Sequence, residues 1–272
     1  MQPKTFIVKI GGSILKSKFP EEFKEDLKNL YMNNRVVLVH GGADIVTQVA
    51  ETMGKQQKFI VSPDGMRSRY TDKETMEIYT MVMAGKINKQ IVASLHQNNI
   101  KAVGLSGVDG FLLKAVRKKK LIILDERGRK IAIDGGYTGK IESVNVKLLN
   151  ILLDLNYLPV VAPIAMDDEY NLLNVDSDRA AAYIAAALKA DGMIICTDVS
   201  GLILDGNVIP RISVTEAKEK ISLIGHGMKK KVYAAVEALE AGVKNVFITS
   251  GLISNPLSLA LNRKVGTLIA YE

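Results

Sequence analysis

One cysteine, Cys196, stands in the 272 residues, so no internal disulfide framework can hold this chain together. It lies in an apolar, strand-like run, which marks it as core rather than as a nucleophile. Histidine is almost as scarce, and three histidines without paired spacing give no metal site. The longest apolar stretches, over residues 157–166 and 180–188, fall short of the roughly 20 residues a bilayer span needs. The chain passes from Met1-Gln-Pro-Lys4 directly into a strand-like run, and no signal peptide is expected. A soluble, cytoplasmic protein is the expectation. Two glycine pairs follow apolar runs, but neither carries the Rossmann or the P-loop fingerprint.

What is present is a chain 47% hydrophobic and 24% charged, long enough to bury a sizeable core. Its formal net charge of +7 favours an acidic partner without saying which kind. The local excess falls in Lys114-Ala-Val-Arg-Lys-Lys-Lys120 and Arg127-Gly-Arg-Lys130. No aromatic residue is interleaved there, which weakens a nucleic-acid reading based on stacking. A solvated hairpin with charges guarding its edge is the plainer reading.

Strand patterns over 5–10, 35–40, 101–105, 158–163, 192–197, 245–249 and 267–271 alternate with helical patterns over 20–33, 43–55, 144–155 and 228–241. Hairpin strands are predicted at 112–116, 121–124 and 130–133. Capping boxes open helices at Thr71-Asp-Lys-Glu74 and Ser213-Val-Thr-Glu216. The stripe Tyr79, Met83, Ile87, Ile91, Leu95 keeps a spacing of four, as a core face or a seam between subunits would. Strand–helix alternation predicts an α/β fold, a mostly parallel sheet with helices on both faces. No linker forces a boundary, so residues 1–272 are one domain, with a functional division near residue 170.

Lys9 interrupts the apolar run Thr5-Phe-Ile-Val-Lys-Ile10 just before Gly11-Gly12-Ser13. A buried ammonium costs several kcal/mol unless it is paired. At the C-terminal end of a strand, where open α/β sheets bind ligands, the simplest partner is an anion. A lysine snorkelling from an edge strand is the bland alternative. Gly41-Gly42 repeats the junction after the second strand, and two such junctions at neighbouring strand ends would form one crevice. Gly227-Met-Lys-Lys-Lys231 puts three lysines in the first turn of a helix, where the macrodipole disfavours cations. An anionic ligand would reverse that sign, although two of the three are expected to be merely solvated. In Asn174-Val-Asp-Ser-Asp178 one residue serves as an N-cap. A carboxylate there would also hold Lys9 and Lys231 together if both meet a phosphate.

With Lys9-Ile-Gly-Gly-Ser13, His40-Gly-Gly42, Gly65-Met-Arg67, Asn174-Val-Asp-Ser-Asp178, Thr197-Asp-Val-Ser-Gly201 and Gly227-Met-Lys-Lys-Lys231 in this order, the chain resembles the amino acid kinase family over its full length. The resemblance implies a three-layer αβα sandwich, with an acyl-substrate lobe over 1–170 and an ATP lobe over 171–272. It implies that Lys9 and Lys231 stabilise the phosphoryl group in flight and that Asp178 organises them. Arg67 and Asn174 would bind the α-carboxylate region of the substrate, and Gly41 and Gly42 the reacting carboxylate. Gly11, Gly12 and Ser13 would meet the phosphates, and Thr197, Asp198 and Gly201 the adenosine. ATP with Mg²⁺ bridging its phosphates is the expected cofactor, with no protein metal site. A carboxylate is already ionised at neutral pH, so such a reaction needs no general base.

Two departures bear on the substrate. Acetylglutamate kinases usually carry a third glycine where Ala43 stands, and a shorter segment than Arg67-Ser-Arg-Tyr-Thr-Asp72. The longer segment resembles the branch that phosphorylates aminoadipate or glutamate attached to an acidic amino-group carrier protein. There Arg69 would add a second cation at the mouth of the site, and the basic hairpins would help meet the carrier. Acetylglutamate kinase is the alternative, and a non-enzymatic nucleotide- or nucleic-acid-binding module a more distant one. A homodimer through the helix that begins at Thr71 is also implied.

Overall fold

The structure, a computed structural model, describes residues 3–15 and 19–272. Strand β1 (Thr5–Ile10) leads by way of α1 (Glu21–Asn33) to β2 (Arg35–His40) and α2 (Ala43–Thr52). A short hairpin, β3 (Phe59–Val61) and β4 (Arg67–Arg69), precedes α3 (Lys73–Thr80), which runs on through a wide-turned π segment at Met81–Ile87 into α4 (Asn88–Gln97). Strand β5 (Ala102–Ser106) is followed by β6 (Leu113–Arg117), β7 (Lys120–Leu124), β8 (Lys130–Asp134) and β9 (Gly139–Val144). Then come α5 (Lys147–Asp154), β10 (Leu158–Ala162), β11 (Ile164–Met166), β12 (Leu172–Asn174), α6 (Ser177–Ala187) and β13 (Gly192–Thr197). The small hairpin β14 (Ile203–Leu204) and β15 (Asn207–Val208) precedes β16 (Arg211–Ser213) and α7 (Val214–Glu219). The chain closes with α8 (His226–Glu240), β17 (Val246–Ser250), α9 (Pro256–Leu261) and β18 (Thr267–Ala270).

Eight strands form the central sheet in the order β16-β18-β17-β13-β1-β2-β10-β5. From β5 to β17 all neighbours are parallel, and β18 joins β17 antiparallel. Beta-branched residues fit a pleated surface, and strands covered on both faces read as continuous apolar runs. Alternation along β1 shows both coverings at once. Ile7 joins the core beneath α5, α6 and α8, whereas Phe6, Val8 and Ile10 join the core beneath α1 to α4 and α9. This is the expected three-layer αβα sandwich. No helix among the described residues is long and apolar enough to cross a membrane.

Two expectations change. The strands at 112–116, 121–124 and 130–133 do not pair as one run. β7 and β8 form a separate hairpin, while β6 pairs with β9 and β11 in a four-stranded second sheet. The stripe Tyr79, Met83, Ile87, Ile91, Leu95 is buried within this one chain, as part of the core under α1 to α4. Strict four-residue spacing drifts about 40° per step on a 3.6-residue helix. The wider π turn across Met81–Ile87 takes up that drift and keeps the stripe on the core.

Candidate active site

Parallel strands bring their C-terminal ends to one edge of the sheet, and β1 lies between β2 and β13 there. Lys9, the penultimate residue of β1, is 3% exposed. Its ammonium forms an ion pair with Asp178 Oδ1 at 2.7 Å. Asp178 sits in the first turn of α6, whose N-cap, Asp176, accepts hydrogen bonds from the backbone N–H groups of Asp178 (2.9 Å) and Arg179 (3.1 Å). The cap is thus Asp176, which leaves Asp178 free of capping duty. Lys231, near the start of α8, reaches the other oxygen of Asp178 at 3.2 Å. One buried carboxylate therefore separates two ammonium groups carried by a strand and a helix.

The electrostatics follow from that packing. Burial pushes the Asp178 carboxyl up, but the charges of Lys9 and Lys231 outweigh it and hold the group down at about 2. Burial pulls the Lys9 ammonium below its ordinary value, Asp178 opposes that, and Lys231 adds to the lowering. The two ammoniums share this one carboxylate, with Asp176 adding a weaker favourable charge to Lys9.

The two glycine junctions abut. Gly11 N–H donates to Cys196 O at 3.0 Å, and Gly41 N–H donates to Ile10 O at 2.8 Å. A Cβ on Gly12 would lie 3.0 Å from Gly42 Cα, so the backbone of one junction would have to give way to it. Gly42 has φ +150°, and a Cβ there would meet Ile87 Cδ1 at 2.3 Å. Glycine is required at Gly42 by its φ and favoured at Gly12 by the close approach. The junctions differ in one respect: Gly42 caps α2, whereas Gly12 opens a single 3₁₀ turn, Gly12–Leu15, that contains Ser13.

On the β2 side a cleft of about 460 Å³ opens, with Gly41, Gly42, Arg69 and Asn174 in its wall. Asn174 donates from Nδ2 to Thr71 Oγ1 at 2.9 Å. Arg69 differs from the accessible cation expected at the mouth. It is 7% exposed, and its guanidinium donates to Ala43 O and to Thr47 Oγ1, each at 2.7 Å, and to Gln57. It braces β4 against α2. Arg67 lies outside that wall and is exposed, its guanidinium stacked 4.0 Å from the centre of the Phe59 ring. On the β13 side, Thr197 Oγ1 donates to Asp198 at 2.9 Å, and Gly201 packs where a Cβ would lie 2.8 Å from Thr267 Oγ1.

Several residues escaped the sequence reading. Lys230, expected in solvent, donates to Arg67 O at 2.7 Å, and Lys229 to Asp64 O at 3.4 Å. The lysines that flank Lys231 thus reach the β3–β4 hairpin. A backbone carbonyl carries no residue identity, so no pattern could reveal these partners. Lys118, assigned to a basic hairpin, projects into the wall of the cleft, where burial and then Arg179 and Lys140 lower its ammonium. Arg179 Nε donates to Glu237 Oε2 at 2.8 Å and ties α6 to α8 one residue beyond Asp178.

The sequence profile of the amino acid kinase family matches residues 4–250. The chain is 53% identical over 262 residues to the putative LysW-aminoadipate/LysW-glutamate kinase of Cenarchaeum symbiosum, covering 96% of this chain and 98% of that one. It is 45% identical over 266 residues to the LysW-aminoadipate/LysW-glutamate kinase of Sulfolobus acidocaldarius, covering 97% and 99%. Among solved structures, smu.665 from Streptococcus mutans aligns over 98% of this chain and 99% of its own, at 25% identity and a TM-score of 0.80. Carbamate kinase from Giardia aligns over 100% of both chains at 17% identity and a TM-score of 0.67, a likeness of fold alone.

Proposed function

The chain belongs to the amino acid kinase family, and on that premise we propose that it transfers the γ-phosphoryl group of ATP to the side-chain carboxylate of aminoadipate or glutamate held on a small acidic amino-group carrier protein. The observation that carries this reading is the Lys9–Asp178–Lys231 cluster at the C-terminal ends of the parallel strands, whose chain neighbours Ser177, Arg179 and Lys230 line the cleft together with Gly41 and Gly42. Relatives 45% and 53% identical, named for that activity, support the choice of acceptor.

In the proposed reaction a carboxylate oxygen forms a bond to the γ-phosphorus while the bond from that phosphorus to the bridging oxygen breaks. ADP leaves with the electron pair. The acceptor is ionised already, so catalysis rests on positioning and on positive charge around the phosphoryl oxygens. Lys9 and Lys231 provide that charge from opposite sides of Asp178. Asp178 keeps the two ammoniums apart and oriented until the phosphoryl group arrives. Gly41 and Gly42 present backbone to the reacting carboxylate, and Gly11, Gly12 and Ser13 to the phosphates, in a cradle that is tightest where Gly12 meets Gly42. Thr197, Asp198 and Gly201 take the adenosine side. When bound with the nucleotide, Mg²⁺ would partly neutralise the phosphates, and no protein ligand is assigned to it.

Asn174 and the exposed Arg67 meet the α-carboxylate region and its linkage to the carrier, while Arg69 acts from behind through α2. We read 1–170 as the acyl lobe and 171–272 as the ATP lobe; the cleft takes residues from both, among them Asn174, Asp176 and Lys230 from the second. We further read the protein as a cytoplasmic homodimer. Sedimentation as a monomer at micromolar concentration would remove the dimer. The deciding assay measures ATP consumption with carrier-linked glutamate, carrier-linked aminoadipate and free N-acetylglutamate. Preference for a carrier-linked substrate, falling as salt rises, is expected. A better rate with N-acetylglutamate and no salt dependence would overturn the carrier reading.

A further inference from the structure

His40, the last residue of β2, is completely buried and has no role in the chemistry above. Its Nδ1 stands 2.9 Å from the carbonyl oxygen of the next residue, Gly41. A carbonyl only accepts, so Nδ1 must carry the hydrogen. The other ring nitrogen, Nε2, stands 3.3 Å from Nδ2 of Asn88. That amide nitrogen also donates to Val160 O at 2.9 Å and to Leu105 O at 3.2 Å, which fixes which end of the amide faces the ring. Its oxygen accepts from Lys89 Nζ at 3.1 Å. That amide nitrogen has two hydrogens for three acceptors, and Nε2 is the most distant of them, so the contact with Gly41 O alone sets the tautomer. Burial lowers the imidazole to about 4 despite the bond to Gly41, with the charges of Lys9 and Lys89 adding to the lowering, so the ring is neutral and has one hydrogen to give.

We propose that His40 is a positioning residue, whose Nδ1–H anchors the Gly41 carbonyl and thereby aims the Gly42 N–H at the reacting carboxylate. A trans peptide is planar, so its N–H and C=O point in opposite directions. With Gly41 O held by the buried His40 ring, planarity turns the Gly42 N–H away from that ring, and Gly42 N lies beside Gly12, 3.1 Å from where a Gly12 Cβ would stand. Left alone, a peptide between two glycines is the least constrained in the chain, since neither residue restricts its dihedrals. Gly42 already holds φ +150°. The cradle needs glycine for space, and glycine makes the cradle floppy. The bond from His40 Nδ1 restores the rigidity, and Asn88, which follows the π turn ending at Ile87, packs its amide against the other ring nitrogen.

The inference rests on the carboxylate-kinase reading. Its test combines long-range proton–nitrogen NMR of the histidine ring with steady-state kinetics of His40→Asn, His40→Gln and His40→Leu on carrier-linked glutamate. The amide nitrogen of Asn falls near Nδ1, so His40→Asn retains the donor; Gln and Leu do not. The Nδ1–H tautomer is expected in the wild type. His40→Leu and His40→Gln are expected to lose about 10- to 100-fold in kcat at unchanged KM for ATP, and His40→Asn to recover most of that. The Nε2–H tautomer, normal kcat in a folded His40→Leu, or equal loss in Asn and Leu would overturn the role. Should the Leu and Gln variants not fold, the tautomer and the Asn variant decide. A wild type that phosphorylates no carboxylate removes the functional reading and this role together. An active wild type with an indifferent His40→Leu removes only the role.

Discussion

Replacing Asp178 by Asn keeps the side-chain volume and deletes the charge that Lys9 and Lys231 share at 2.7 and 3.2 Å. The two lysines will not suffer equally. The Lys231 side chain is 15% exposed and can turn toward water, while that of Lys9, at 4%, stays in the core with no counter-charge. Breaking a buried pair in this way costs about 3–5 kcal/mol. At about 2–4 °C per kcal/mol for a chain of this size, Tm should fall by roughly 6–20 °C. The depressed Asp178 carboxyl adds a pH signature. Its stabilisation is complete above the ordinary value of 3.8 and disappears as pH falls through about 2. That is worth roughly 2 kcal/mol, so the Asn variant should lose less stability than the wild type across this window. Urea unfolding followed by circular dichroism measures both effects. A double variant, Lys9→Met with Asp178→Asn, removes the stranded charge and should be more stable than Asp178→Asn alone. An Asp178→Asn protein as stable as the wild type, or a double variant no better than the single one, would refute this account of the cluster.

Lys9→Ala and Lys231→Ala should each lower kcat by about 10²- to 10³-fold, the usual effect of losing one group aimed at the transition state, with nucleotide affinity largely retained; initial rates and calorimetric titration check this. Met83→Asp or Ile87→Asp places a charge in the core of one chain and should abolish cooperative unfolding, where an interface role would leave a folded monomer on sedimentation. Lys118→Glu, in the wall of the cleft, should raise KM for the carrier-linked substrate more than Lys119→Glu, which is exposed beyond it; steady-state assays at two salt concentrations separate them. His40 is held at about 4, below its ordinary 6.5, so the unfolded chain takes up the proton first and stability falls as pH drops from 6.5 to 4, by roughly 3 kcal/mol. His40→Asn should flatten that slope in pH-dependent denaturation.

The sheet was legible because strands buried on both faces must be apolar throughout. Against that background a single lysine at position 9 and glycines at 11, 12, 41 and 42 stand out without any structure. Gly42 was legible for a local reason, since a φ of +150° favours glycine, whereas the close approach of Gly12 to Gly42 is a tertiary contact. The two ammoniums called for a carboxylate in the segment 174–178, but that it is Asp178, with Asp176 as the cap, was implied only by the family resemblance before packing placed it. Other features depend on contacts that leave no local mark. The stripe from Tyr79 to Leu95 has the same spacing whether it faces a core or a partner, and only packing assigned it to the core. β6, β7 and β8 are each recognisable as strands, yet β6 bypasses its neighbour to pair with β9, since pairing is chosen by tertiary burial. Arg67 and Arg69 differ in burial although two residues apart on one strand, because α2 happens to offer oxygens to Arg69. Composition and spacing determine which side chains demand a partner, through the cost of burying charge and the room a backbone leaves. Which partner answers is decided by how distant segments pack, because a carbonyl or a helix face looks alike wherever it lies in the sequence.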